Sequence, residues 1–179
     1  PEAWFFHTPG LKIVAPSTPY DAKGLLNASI EDPNPVLYFE HKYMYRSIKG
    51  TVPKNDFNIE IGKADVKKTG NDLSVITYGM GVHWMLDISN KLENEGINVE
   101  IIDLRSLIPW DKDLIKKSIS KTNRALILHE ANLTGGIGAE ISAYISEYCF
   151  QYLDAPVMRL GAIDTPIPFA SALEKEIYL

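Results

Sequence analysis

The sequence predicts an α/β protein built on an open, mostly parallel sheet, and three observations carry that prediction. From residue 71 onward, short apolar strand patterns alternate with helical stripes, as expected when helices cover the faces of a parallel sheet. Residues 11–39 read as a separate strand–helix–strand unit, which implies a parallel pair joined by a right-handed crossover. Residues 124–140 compress a strand, a tight crossing and a helix start into one run: apolar residues up to His129-Glu130, then Thr134-Gly135-Gly136-Ile137-Gly138, then a new helical pattern.

Pro1 suits the first position of a short helix ending near His7, and Pro9-Gly10 makes a turn. Leu11 to Ala15 is an apolar strand. Thr18-Pro19-Tyr20-Asp21 is a helix start, with Thr18 as N-cap, Pro19 at the first helical position and Asp21 closing a capping-box-like pattern. Ala22, Leu25, Leu26, Ser29 and Ile30 then share one helical face. Pro33 and Pro35 end that helix, because proline disfavours helix for itself and its predecessor, and Val36 to Phe39 is the returning strand. From His41 to Gly62 the pattern weakens, and this stretch reads as a crossing between domains. Lys63–Val66 and Leu73–Tyr78 flank Lys68-Thr69-Gly70-Asn71 and read as an antiparallel hairpin at the sheet edge. Val82, Met85, Leu86, Ser89 and Leu92 form a helical stripe stopped by Gly96. Val99–Leu104 is a strand. Asp111 caps the next helix, with Trp110 placed to staple onto Ile115. Leu126–His129 is a strand, Ile141, Ile145, Tyr148 and Cys149 mark a helical face, and Pro156–Leu160 is the last strand.

The net charge of −5 and the lack of a Lys/Arg-dense block exclude a nucleic-acid backbone partner. Apolar runs fall well short of the roughly 20 residues that a membrane helix needs, and no secretory signal opens the chain. The single cysteine, Cys149, excludes an internal disulfide and any multi-cysteine metal site, which fits a reducing compartment. The chain opens on Pro1 without a methionine and closes on Glu176-Ile177-Tyr178-Leu179 without a terminating signal, so both ends read as cuts in a longer protein.

Three clusters invite a functional reading. The glycines at 135, 136 and 138 precede a helix whose first amides could hold an anion. They do not fit GxGxxG, because Ile141 stands where the third glycine belongs counting from Gly136, and no ribose-binding acid follows at the required offset. Close helix–sheet packing explains them better. His129-Glu130 sits at the carboxyl end of a strand, where open α/β sheets place their sites. A buried or interface pair and a catalytic pair both stand as readings. His7, beside Trp4, Phe5 and Phe6, reads as packing at a subunit contact, and His41 and His83 have no partner readable from spacing. Ser29, Asp32 and Asn34 gather oxygens at a helix end, which suits a hard cation. Taken alone, an ordinary helix stop with an Asx turn explains them better.

Several blocks together resemble the beta-subunit family of thiamine-diphosphate-dependent 2-oxo acid dehydrogenases. They are residues 1–10, Asp21-Ala22-Lys23-Gly24-Leu25-Leu26, Glu31-Asp32-Pro33-Asn34-Pro35, Glu100 to Arg105, Ile108-Pro109-Trp110-Asp111, the 129–140 loop and Asp164-Thr165-Pro166. The branched-chain (2-oxoisovalerate) members are the nearest, through His129-Glu130-Ala131 and Leu133-Thr134-Gly135-Gly136.

The resemblance implies that residues 1–46 are the tail of a pyrimidine-binding α/β domain, 47–62 a linker, and 63–179 a transketolase C-terminal-domain-like open sheet. It implies a fragment of the decarboxylating component, whose whole enzyme expels carbon dioxide from a branched-chain 2-oxo acid and passes the acyl group to lipoamide. Pyruvate, 2-oxoglutarate or acetoin relatives, and a non-catalytic docking module, are the alternatives. Thiamine diphosphate and magnesium would be held upstream of Pro1, together with the activating glutamate and the histidine of a His-Ser-Gln-Ser run. No catalytic and no cofactor-binding residue is therefore assigned here, and the isolated fragment is expected to be inactive. A structural potassium ion would take half its ligands at Ser29, Asp32 and Asn34. The C-terminal part would build subunit contacts, with His7, His129 and Glu130 as interface candidates. Its partners would be an alpha subunit or fused alpha half, a second beta subunit and the lipoyl acyltransferase core. It would act in a bacterial-type cytoplasm or the mitochondrial matrix.

Overall fold

The computed structural model describes residues 1–177; Tyr178 and Leu179, the end of the last expected domain, lie outside the described residues. The strands are β1 (Lys12–Val14), β2 (Val36–Tyr38), β3 (Asp65–Lys68), β4 (Leu73–Thr77), β5 (Val99–Asp103), β6 (Ser106–Ile108), β7 (Ala125–Asn132) and β8 (Met158–Ala162). The helices are α1 (Ala3–Phe6), α2 (Pro19–Glu31), α3 (Met44–Ser47), α4 (Met80–Asn94), α5 (Lys112–Thr122), α6 (Ile137–Tyr148) and α7 (Ser171–Glu174). They form a three-stranded sheet in the order β2-β1-β6 and a five-stranded sheet in the order β3-β5-β4-β7-β8. The larger sheet is parallel except for β3, so the mixed, mostly parallel α/β architecture read from the sequence is the one observed.

Local chemistry sets the helix ends where it was expected to. Thr18 Oγ1 accepts from the Asp21 amide at 3.1 Å, and Pro19 sits at the first helical position of α2. Asp111 Oδ1 accepts from the Leu114 amide at 3.0 Å, and its other oxygen accepts from Ala64 at 3.2 Å, so one carboxylate caps α5 and anchors the approach to β3. Gly96 adopts φ +82 after α4. There the amides of Gly96 and Ile97 bond back to Glu93 and Leu92, a Schellman stop that leaves few helix carbonyls unpaired. The predicted α2 face is narrower than its periodicity suggested. Leu25 is buried, whereas Leu26 and Ile30 are 45% and 74% exposed.

The main core lies between the larger sheet and the helices α5 and α6, with Ile76, Ile102, Ile115, Ile127 and Ile141 almost wholly buried. Each such side chain contributes about 1.5–3 kcal/mol on leaving water. Trp110 packs on this cluster, edge-on to Tyr144 at 4.9 Å between ring centroids.

Three features depart from the sequence reading. The expected β3–β4 hairpin does not form. β3 pairs antiparallel with β5, β4 pairs parallel with the other edge of β5, and residues 69–72 pass beneath the start of β5. Gly70 permits the passage, because a Cβ there would lie 2.3 Å from the Val99 carbonyl carbon. The amides of Asn71 and Asp72 both bond to the Asn98 carbonyl. The second departure is β6, an extra strand that leaves the C-terminal half to pair antiparallel with β1. The third is the stretch after α3, which straps across α2. Ile59 is buried against Leu25, its amide bonds to the Gly24 carbonyl at 3.0 Å, and Phe57 stacks on Tyr20 at 4.5 Å.

Candidate functional site

The carboxyl ends of β2, β4 and β7 open onto a cleft of about 550 Å³ and an adjoining hollow, which share Pro1, Glu2, Glu40, His41 and Glu130. This is the end of an α/β sheet where ligands usually bind. Glu40 and His41 follow β2, Tyr78 follows β4, Glu130 lies within β7, and Glu2 immediately precedes α1. His41 Nε2 stands 2.9 Å from Glu130 Oε2, and the Tyr78 hydroxyl donates to Glu2 Oε1 at 2.6 Å. Burial, reinforced by the Glu2 charge, pushes the Tyr78 hydroxyl well above its ordinary pKa, so it remains a donor. Both pairs join the first 41 residues to the C-terminal part. A half-exposed imidazole–carboxylate pair can orient a polar ligand.

The adjacent residues His129 and Glu130 do not form a pair. Neighbours on a strand point to opposite faces, so Glu130 turns into the cleft while His129 turns into the core, with no exposed surface. His129 Nδ1 is 2.9 Å from the Ala131 carbonyl, and Nε2 has no partner among the described residues. Burial lowers the pKa of the ring, keeping it neutral, against the opposing pull of that carbonyl. The ring is boxed in by glycines. A Cβ on Gly138 would lie 2.6 Å from Nε2, and one on Gly161 or Gly136 would lie 2.9 or 3.0 Å from Cε1. The role of His129 is therefore packing inside its own chain, not contact with a partner. His7 is exposed at the end of α1, beside Trp4, which is 81% exposed.

The α6 approach does not form an open phosphate cradle either. The Thr134 amide donates to Asp164 Oδ1 at 3.1 Å, and the Thr134 hydroxyl donates to Asp164 Oδ2. These bonds hold the Asp164 carboxylate below its ordinary pKa, so the anion in this loop is the chain's own.

Ser29, Asp32 and Asn34 come together around the end of α2, but the Asp32 oxygens and the Ser29 hydroxyl are engaged. The Lys12 ammonium pairs with Asp32 Oδ2. Asp32 Oδ1 accepts from the Asn34 amide and side chain at 2.9 and 3.1 Å, and Ser29 Oγ donates to Leu25 at 2.6 Å. Lys12, followed by the Asn34 amide, holds the Asp32 carboxylate below its ordinary pKa. The cluster fits a metal ion at Asp32 only once Lys12 has withdrawn. Among the described residues no group of three or more His, Cys, Asp or Glu side chains is arranged to hold a metal. With the Thr134 amide and hydroxyl before α6 already given to Asp164, and with no such metal-binding group among the described residues, these residues do not fit a diphosphate and its magnesium. Among the described residues no helix is long and apolar enough to cross a membrane.

Comparison with known proteins matches residues 62–179 to the family "Transketolase, C-terminal domain" and residues 1–47 to "Transketolase, pyrimidine binding domain". The 2-oxoisovalerate dehydrogenase subunit beta of Bacillus subtilis (strain 168) is 51% identical over 175 residues, covering 97% of this chain and 54% of the relative. The pyruvate dehydrogenase E1 component subunit beta of the same organism is 49% identical over 164 residues, covering 92% of this chain and 50% of the relative. A solved structure described as a split gene transketolase, inactive beta4 tetramer, superposes with a TM-score of 0.80 at 26% identity, covering 98% of this chain and 55% of the other. The chain spans about half the length of the curated relatives it matches.

Proposed function

Because this chain belongs to the transketolase C-terminal-domain family, we propose that it is part of a beta subunit of the decarboxylating component of a 2-oxo acid dehydrogenase complex, acting on a branched-chain 2-oxo acid. The observation that carries this reading is 51% identity, spread over 97% of the chain, to a 2-oxoisovalerate dehydrogenase subunit beta. The 49% identity to a pyruvate dehydrogenase subunit supports pyruvate as the second substrate reading.

In this proposal thiamine diphosphate, held by residues outside this chain, supplies the decarboxylation chemistry, while the protein binds, orients and excludes water. These residues provide scaffold, subunit contacts and one wall of the cleft. Glu130 fixes the His41 ring across 2.9 Å, and Glu2 fixes the Tyr78 hydroxyl. The acyl group passes to lipoamide on an acyltransferase core, the other partners being an alpha subunit or fused alpha half and a second beta subunit. The compartment is the cytoplasm or the mitochondrial matrix.

The test is carbon dioxide release by the full-length protein with its alpha partner, thiamine diphosphate and lipoamide. We expect kcat/KM for 2-oxoisovalerate to exceed that for pyruvate by at least about tenfold, a specificity difference of about 1.4 kcal/mol. Preference for pyruvate would overturn the substrate, and no release from either would overturn the reaction. Residues 1–179 alone are expected to be inactive, and turnover by them would refute a catalytic set lying outside this chain. Potassium at Ser29, Asp32 and Asn34 belongs to the same proposal. Lys12→Met should make the melting temperature rise with potassium chloride more than with choline chloride, and equal responses would remove the site.

A further inference from the structure

A buried ionic cluster that plays no part in the proposed reaction lies between α2 and the five-stranded sheet. Asp21 comes from α2, Asp65 and Lys67 from β3, Asp103 ends β5, and Arg105 follows it. Lys67 Nζ lies 2.8 Å from Asp21, 2.9 Å from Asp65 and 3.5 Å from Asp103. Arg105 Nη2 lies 2.8 Å from Asp21 and 2.9 Å from Asp65. The Ser17 hydroxyl donates to Asp103, and His83 of α4 meets the Ser17 carbonyl at 2.7 Å, so both polar ends of Ser17 are held by the C-terminal part.

Three carboxylates face two cations, so full ionisation leaves one uncompensated negative charge in a site screened from water. Asp21 and Asp65 each touch both cations, and Asp65 is also 39% exposed. Asp103 is wholly buried, and its one cation stands 3.5 Å away. A proton that balances the cluster therefore belongs on Asp103, where ionisation is least compensated. The position is also mechanically central. Arg105 takes the left-handed conformation, φ +56, as the chain leaves β5 to join the smaller sheet as β6. Its amide donates to Asp103 Oδ1 at 3.1 Å, and its carbonyl accepts from the Ala15 amide at 2.8 Å.

We propose that Asp103 is the proton-responsive pin of a latch that fastens the β1–α2 unit to the five-stranded sheet, tight when Asp103 is neutral and looser when it is charged. Burial pushes the Asp103 carboxyl up to about 6; Lys67 and the Ser17 hydroxyl oppose the rise, and the Asp21 charge adds to it. The other titratable groups nearby are turned elsewhere: His83 to the Ser17 carbonyl, and Tyr38 of β2 to the Ala22 carbonyl. A carboxyl raised on folding gives the folded state the higher proton affinity. The stabilisation is thus full at or below the ordinary carboxyl value and is lost as pH rises through about 6.

The test is a carbon-13 titration of labelled aspartate carboxyls in the full-length protein, with the Asp103 signal assigned by its loss in Asp103→Asn. We expect a midpoint near 6, moved upward in Lys67→Met. A midpoint at or below about 3.9, the unperturbed value, or one unmoved in Lys67→Met, overturns the proposal. If Asp103→Asn does not fold, Ser17→Ala assigns the same signal by displacing it. Hydrogen exchange at the Ala15 amide gives an independent readout. Its protection, corrected for intrinsic rate, should fall on the order of tenfold between pH 4.5 and 7.5. That dependence should vanish in Asp103→Asn, and persistence there also overturns the latch.

Discussion

Gly138→Ala places one methyl group against the fully buried His129 ring, and its cost can be worked out from the surroundings. Replacing glycine by alanine in a helix gains at most about 1 kcal/mol of propensity. Here the new carbon would lie 2.6 Å from His129 Nε2, 2.8 Å from Cδ2 and 3.3 Å from Ile127 Cγ2. The imidazole has little room to retreat, because the Gly161 and Gly136 backbones close in on Cε1 and the Ala131 carbonyl holds Nδ1. Overpacking of this kind costs about 1–3 kcal/mol, and the upper half of that range applies when the neighbour is confined on several sides. The net expectation is a loss of about 1–2 kcal/mol. That corresponds to a melting temperature lower by about 2–8 °C in a protein of this size. Urea unfolding of the full-length protein measures it, with His129→Ala and the double variant closing a thermodynamic cycle. The double variant should be more stable than the two single losses predict when added, because removing the ring removes the collision. A Gly138→Ala protein as stable as the parent, or a cycle with no coupling, would refute the account of the glycine cluster as a seat for His129.

Two further outcomes follow from the same geometry. Gly70→Ala drives its methyl group into the main chain at Asn98 and Val99, at 2.3–2.5 Å. No side-chain rotation can relieve that contact, so the loss should exceed about 3 kcal/mol, read as insoluble or unfolded protein, whereas Gly135→Ala, open on all sides at φ +72, should remain folded with the smaller loss set by its backbone conformation. His129 is held neutral by burial, with a folded pKa below its ordinary value. Its contribution to stability is present above about pH 6.5, the unperturbed value, and is lost as pH falls below it. His129→Gln should flatten the acid side of a melting-temperature profile between pH 7 and pH 5, and an unchanged slope would contradict the assignment.

What was legible in the sequence was whatever a residue and its close neighbours decide together. Thr18, Asp111 and Gly96 announce helix ends because the amides and carbonyls they satisfy lie within a few positions. The alternation of strand and helix gave the larger sheet for the same reason. The misplaced β3 shows the limit. A hairpin turn and a connection that passes under the neighbouring strand share the same local pattern, and contacts such as that between Gly70 and Val99, 29 positions apart, separate them. His41 and Glu130 are 89 positions apart, and neither has a local cue that names the other. Glu130 could still have been separated from His129 by strand alternation alone. The ionic cluster draws on three separate segments, so no spacing rule within one segment could reveal it.

β6 has a consequence for how such a protein can be divided. Residues 106–108 sit far along the chain yet complete the small sheet begun at residue 12. A cut in the strap between residues 47 and 62 severs the covalent thread without separating the two sheets. A gene interrupted there would yield two polypeptides, each carrying a bare strand edge whose only complement is on the other. Reassembly would then depend on concentration, and the edges left open meanwhile are the kind that recruit unrelated strands.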